Sequence, residues 1–207
     1  MSGQVNSTRL EVEVKFLIQS LPDMRRKLLD IGARQTKPRL FERNWRYDSP
    51  WEGLRRAGKL LRLRQDDRAI ITFKGPAPED EGSEARVREE LEVVVDDFEQ
   101  ARLILERVGF EAFQVYEKYR ETFDHDSVEI VLDELPFGDF IELEGMEADI
   151  RQAADALGLD WERRILVNYL GLMMQAQSYY ELDFDDLTFE NFKGKHYPIG
   201  PVLAGEK

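Results

Sequence analysis

The sequence predicts an α+β protein: about eight long antiparallel strands that close into a β-barrel, with helices packed outside. Three observations predict it. Apolar and polar residues alternate with period two through most of the chain, as in "RLEVEVKFLI" (9–18), where Leu10, Val12, Val14 and Phe16 alternate with Glu11, Glu13 and Lys15. The polar faces of these segments carry charges sorted by sign. Helical segments are few and fall in two groups, available to cover the apolar faces.

Residues 9–18 read as the first strand. "SLPDMRRKLLDIG" (20–32) reads as a helix with Ser20 as N-cap, Pro22 in the first turn and Gly32 as the stop. "RLFERNWRYDSP" (39–50) reads as a strand running into a turn. Residues 58–76 read as two strands joined by a tight turn near Asp66 and Asp67. "APEDEGSE" (77–84) is acid-rich and aperiodic, and reads as a mobile solvated loop. A strand over 85–97 and a helix over 97–109 follow, then strands over 113–124, 127–135 and 138–145, and a helix over 146–159. "DWERRILVNYLGLMMQAQ" (160–177) reads as a further helix. Beyond Ser178 the pattern weakens into an irregular tail.

A chain of 207 residues makes one large domain or two small ones and can bury a core. With no cysteine, disulfides, thiolate metal sites and cysteine nucleophiles are excluded. The net charge of −13 opposes binding to nucleic acid or an anionic membrane. There is no signal peptide and no apolar run of membrane-spanning length, so the sequence points to a cytoplasmic protein.

Parity sorting gives the candidate site. Arg62 and Arg64 share a face with Leu60 and Asp66; Lys74 ends the face of Ile70 and Thr72. Arg86, Arg88, Glu90 and Glu92 share a face opposite Val87, Leu91, Val93 and Val95. Lys118 pairs with Arg120, Asp133 with Val131 and Glu129, and Glu142 with Glu144 and Phe140. Two readings stand. These are the solvent faces of half-exposed sheets, or the inner faces of a barrel around a wet tunnel. Like charges two apart repel, which scattered surface charge has no reason to accept. A tunnel of this kind needs a ligand with both signs, such as a triphosphate with divalent metal. Lys and Arg would take phosphate oxygens, and carboxylates would take hard cations such as Mg²⁺ or Mn²⁺.

"EVEVK" (Glu11–Lys15) resembles the ExExK signature of the CYTH superfamily, the triphosphate tunnel metalloenzymes. "LRLR" (61–64), "TFKGP" (72–76), "REELEV" (88–93), "EKYR" (117–120), "VLDEL" (131–135) and "GDFIELEG" (138–145) follow in the family's order, through "SYYEL" (178–182). The wording is most similar to the class IV adenylate cyclase branch. The resemblance implies a triphosphate tunnel domain over 1–180, with 181–207 as a tail, and an eight-stranded antiparallel barrel. It implies metal binding (Mg²⁺ or Mn²⁺) by Glu11, Glu13, Glu142 and Glu144, with Glu90, Glu92 and Asp133 nearby. It implies phosphate binding by Lys15, Arg62, Arg64, Lys74, Arg88, Lys118 and Arg120, and catalytic roles for Lys15, Glu90, Glu92 and Asp133. A homodimer rests on family analogy alone. One segment departs: many members carry a "DTYFD"-like word on the second strand, where this chain has "NWRYD", with Asn44 and Arg46. Arg46 either adds a phosphate contact or faces solvent.

The implied partner is a triphosphate small molecule, tripolyphosphate or a nucleoside triphosphate. Three functions compete: a metal-dependent triphosphate hydrolase, which is favoured; a class IV adenylate cyclase; and a non-catalytic polyphosphate- or nucleotide-binding module. The charged motifs do not separate the first two. Other residues read as structural. His125 and His196 are far apart and fit turn or surface positions; Trp45, Trp51 and Trp161 fit packing between barrel and helices; Met173 and Met174 fit the core.

Overall fold

A computed structural model describes residues 9–76 and 84–205, without the side chains of residues 9–11 and 86. Most of the acidic segment 77–84 therefore lies outside the described residues, and Glu84 alone of it is seen.

Eight strands close into an antiparallel barrel. They are β1 (Arg9–Ile18), β2 (Arg34–Asp48), β3 (Leu60–Gln65), β4 (Ala69–Lys74), β5 (Arg86–Val95), β6 (Glu111–His125), β7 (Val128–Leu135) and β8 (Gly138–Glu144). Their order around the ring is β1-β5-β4-β3-β2-β6-β7-β8. The two 15-residue strands, β2 and β6, pair along most of their length, with register slips between Gln35 and Lys37, Lys37 and Leu40, and Arg46 and Tyr47. Such slips bend a strand and help a sheet to curl closed.

The apolar faces look outward, most of them into helices, while Leu91 and Val93 on β5 stay exposed. Val14, Phe16 and Ile18 of β1 join Ile130, Leu132, Ile141 and Leu143 in the largest core cluster. Over it lie α1 (Leu21–Asp30), through Met24 and Leu28, and α4 (Glu147–Leu157), through Ile150, Ala153, Ala154 and Leu157. Ser20 caps α1 by accepting from the Asp23 amide at 3.3 Å, as its sequence position predicts. Gly158 ends α4 at φ 68°, a left-handed position that glycine takes without strain. A smaller cluster of Tyr47, Leu63, Ala101 and Leu105 seats α3 (Phe98–Arg107) on β2 and β3.

A third cluster joins the barrel to the C-terminal part of the chain. Leu135, Phe137 and Phe140 meet Tyr169, Leu170, Leu172 and Met173 of α5 (Tyr169–Tyr180) and then Leu182, Leu187, Phe192 and Ile199. The last two belong to α6 (Phe189–Phe192) and α7 (Ile199–Ala204). The segment read from sequence as an irregular tail is thus folded against the barrel: Leu187 bridges Tyr116 in parallel, and its amide donates to the Val115 carbonyl at 3.0 Å.

Four local readings change. Residues 160–177 do not form one helix: a 3₁₀ turn at Trp161–Arg163 is followed by extended chain, because the Ile165 amide donates to the Lys15 carbonyl at 2.8 Å. The α-helix starts only where Asn168 accepts from the Gly171 amide at 2.7 Å. A short helix not read from sequence, α2 (Gly53–Arg56), forms where the Asp48 carboxylate accepts from the Leu54 and Arg55 amides. Trp45 and Trp161 do pack between barrel and helices, but Trp51 is 74% exposed. Met173 is core, whereas Met174 is 67% exposed. Among the described residues no helix is long and apolar enough to cross a membrane.

Candidate active site

The strand faces sorted by parity meet inside the barrel. They line a cavity of about 280 Å³ that holds as many Lys and Arg as Asp and Glu side chains, in a chain whose net charge is −13. The opening strand supplies Glu13 and Lys15. Register places Glu13 opposite Glu144 and Lys15 opposite Glu142 of β8, and Glu144 opposite Glu129 of β7. The bases come from the other side of the ring: Arg62 and Arg64 of β3, Lys74 of β4, and Lys118 and Arg120 of β6. Glu90 and Glu92 of β5 complete the lining, opposite Lys74 and Thr72.

Most of these bases are committed to acids. Lys15 Nζ lies 3.4 Å from Glu142 Oε1 and 3.6 Å from Glu13 Oε1. Arg120 donates to Asp133 Oδ1 through Nε at 2.7 Å and to Glu142 Oε2 through Nη2 at 2.5 Å. Lys118 Nζ donates to Asp133 Oδ2 at 2.9 Å, and Lys74 Nζ lies 3.3 Å from Glu90 Oε1. Arg62 donates to the Tyr116 hydroxyl at 2.9 Å and to Thr72 Oγ1 at 3.1 Å; the Thr72 hydroxyl in turn donates to Glu92 Oε1 at 2.7 Å. Even so, Arg62 Nε is enclosed and has no hydrogen-bond acceptor, whereas Arg64 Nε faces Asp66 Oδ2 at 3.3 Å. Buried donors left so are costly unless something else fills the space.

The electrostatics follow from these neighbours. Burial pushes the Glu142 carboxyl up, but Lys15, Arg120 and Lys118 override it and hold it well below the usual carboxylate range. Burial acts the same way on Glu42, and Lys118, Arg120, Arg64 and Arg62 together bring that carboxyl down to about 2. The Arg120 guanidinium is raised well above its ordinary value, against burial, by Asp133 and Glu142. The Tyr116 phenol is lowered, against burial, by Arg62 and Lys118.

Of the residues predicted from sequence, Glu13, Lys15, Arg62, Arg64, Lys74, Glu90, Glu92, Lys118, Arg120, Glu142 and Glu144 line one cavity. Glu11 is in β1, but its side chain lies outside the described residues. Arg88 also lines the cavity, yet its guanidinium is turned to main-chain carbonyls, Gly58 O at 2.6 Å and Gly75 O at 2.8 Å. Asp133 is fully buried behind the lining, where it also accepts from the Tyr169 hydroxyl at 2.8 Å. Arg46 is neither in the lining nor turned to solvent. It is half-buried beside Phe113 and Gln114, and burial lowers its pKa. Sequence reasoning missed Glu42, Tyr116 and Tyr169. The first two share the inward parity of their strands and could have been found by sorting β2 and β6 in full; Tyr169 comes from the start of α5, which no strand pattern shows.

The donor chemistry at one end of the cavity suits a hard divalent cation, because Glu13, Glu142 and Glu144 offer carboxylate oxygens from adjacent strands. Among the described residues no group of three such side chains is already drawn together. Glu142 is spent on Lys15 and Arg120, so metal entry would have to exchange those contacts.

The CYTH domain model matches residues 9–167, the whole barrel with α1 to α4 but not α5, α6 and α7. The chain belongs to the CYTH family. A Methanocaldococcus jannaschii protein named "Putative adenylate cyclase MJ0240" is 28% identical over 145 residues, 69% of this chain and 81% of that protein. The PH1012 protein of Pyrococcus horikoshii superposes with a TM-score of 0.65 at 27% identity, covering 77% of this CYTH chain and 96% of that one. A Vibrio parahaemolyticus structure solved as a "putative adenylate cyclase" shares the fold at a TM-score of 0.70 and 24% identity, covering 79% and 97%.

Proposed function

We propose that this CYTH protein is a metal-dependent enzyme that hydrolyses a phosphoanhydride bond of a triphosphate, inorganic tripolyphosphate or a nucleoside triphosphate. One observation carries the reading: an acidic protein holds a tunnel that is lined by as many bases as carboxylates and in which the enclosed Arg62 Nε lacks an acceptor. Phosphate oxygens supply such acceptors in a geometry that guanidinium groups match.

In this reading Arg62, Arg64, Lys74, Lys118 and Arg120 bind the phosphate chain and neutralise charge that builds on the equatorial oxygens. Lys15, seated between Glu13 and Glu142, faces the same phosphates from the acidic wall. Glu90 and Glu92 orient water for in-line attack on the terminal phosphorus. The new P–O bond forms as the bridging P–O bond breaks, the water proton passes to solvent through a carboxylate, and the shortened chain leaves. Glu11, Glu13, Glu142 and Glu144 would hold Mg²⁺ or Mn²⁺, which when bound supplies Lewis-acid polarisation of the phosphate oxygens. Asp133 fixes Lys118 and Arg120 from behind.

A second reading, cyclisation of ATP to cyclic AMP and pyrophosphate, rests on the name of the archaeal relative. One assay separates the two. The protein is incubated with ATP, and separately with tripolyphosphate, with Mg²⁺ or Mn²⁺ and with a chelator as control; products are resolved by ion exchange. Orthophosphate with ADP, or with pyrophosphate, is the expected result. Cyclic AMP would establish the cyclase, and tight binding without any product would reduce the site to a binding module.

A further inference from the structure

We propose that Glu42 is a resident counter-anion of the phosphate wall, a positioning residue that holds its bases in place in the empty tunnel and loosens their grip on the phosphate chain so that product leaves. The inference rests on the triphosphate reading above.

Glu42 lies on β2, opposite Lys118 in register, and is 4% exposed in the tunnel lining. Its Oε2 is enclosed and receives no hydrogen bond, and among the described residues its one ion pair is with Lys118 Nζ, at 3.7 Å. Asp133, another buried acid near these bases, differs in its place and its contacts. It stands outside the lining and is saturated by hydrogen bonds from Lys118, Arg120 and Tyr169. Asp133 is therefore built as an anchor, whereas Glu42 is held in place by the field of the surrounding bases.

That field comes from Lys118, Arg120, Arg64 and Arg62, which keep the carboxylate ionised despite its burial. Asp133 faces Lys118 and Arg120, Asp66 faces Arg64 and Glu92 faces Arg62. Glu42 is the carboxylate whose charge all four cations share, and without it their mutual repulsion rises in a site largely closed to water. A site shaped only for tight phosphate binding would leave the neutralisation to the phosphate itself. A carboxylate among the phosphate ligands opposes every anion that enters, substrate and product alike.

The test is Glu42→Gln, which keeps the shape and removes the charge, beside Glu42→Asp, which keeps the charge. Tripolyphosphate and pyrophosphate binding are measured by calorimetry, and kcat and product inhibition by the product assay. Removing one like charge within a few ångströms of a bound phosphate is expected to tighten both ligands at least about tenfold. E42Q should also show a lower KM, a lower kcat and stronger inhibition by pyrophosphate, while E42D stays near wild type. If E42Q is unfolded alone, tripolyphosphate is expected to restore its fold by supplying the missing anion. E42Q binding no tighter than wild type, E42D behaving like E42Q, or an unfolded E42Q that tripolyphosphate does not restore would each overturn the proposal. Failure of the wild-type protein to bind tripolyphosphate or ATP would instead refute the triphosphate reading itself.

Discussion

Asp133→Asn tests whether the base wall is held from behind. Asp133 is fully buried and takes Lys118 Nζ at 2.9 Å, the Tyr169 hydroxyl at 2.8 Å and Arg120 Nη2 at 2.5 Å on Oδ2, and Arg120 Nε at 2.7 Å on Oδ1. An asparagine can turn its one oxygen to the Oδ2 position and keep three of those donors. Its amide nitrogen then faces Arg120 Nε, donor against donor, and two buried cations have lost the nearest anion. Breaking a buried pair by removing one charge costs about 3–5 kcal/mol. For 207 residues, at an unfolding entropy of about 2.1 cal/mol/K per residue, about 4 kcal/mol lowers Tm by about 9 °C. Urea unfolding should show a lower midpoint at unchanged slope, and calorimetry the fall in Tm. Tyr169→Phe, which removes a single hydrogen bond from the same carboxylate, should cost only about 1–2 kcal/mol. A loss below about 1 kcal/mol in Asp133→Asn would refute the reasoning, because the bases would then be held by other groups.

Three further outcomes follow from the same geometry. Glu13→Ala with Glu144→Ala should cut metal-dependent turnover at least about 100-fold while leaving Tm within a few degrees, since the pair faces the cavity; retained turnover would remove these residues from the metal site. Glu42 has a carboxyl at about 2 in the folded chain against an ordinary 4.5, so its contribution is complete above pH 4.5 and is lost as pH falls toward 2. Stability measured by urea unfolding over that window should therefore fall less steeply in Glu42→Gln than in wild type, and parallel curves would contradict the assignment. Ending the chain after Leu182 removes Leu187, Phe192 and Ile199 from the third core cluster. At about 1.5–3 kcal/mol for each buried side chain the loss approaches the whole stability of a domain, so the shortened chain should not fold at 37 °C; a Tm within 3 °C of wild type would show the segment to be dispensable.

What the sequence made readable divides along a physical line. Period-two alternation survives in every strand because one face must be apolar and the other must not, so Glu13 and Lys15, Arg62 and Arg64, or Glu142 and Glu144 can be placed on a common face without knowing the fold. Closure of the barrel adds what no single strand contains, namely which faces meet. Glu142 touches Lys15 because β8 pairs with β1, and touches Arg120 from two strands away because the ring curves. The C-terminal segment was unreadable for the opposite reason. Leu187, Phe192 and Ile199 bury themselves one at a time, at turns and in helices too short to show a period, so their burial is written in tertiary contacts alone. Glu42 lies between these cases. Its parity was available in "FERNW", but a lone acid on a strand has no repeat to mark it. Its meaning comes from the four bases that two strand pairings, β2 with β3 and β2 with β6, bring around it. A site built from sorted charges is therefore visible in sequence where charges repeat, and hidden where one charge is set against many.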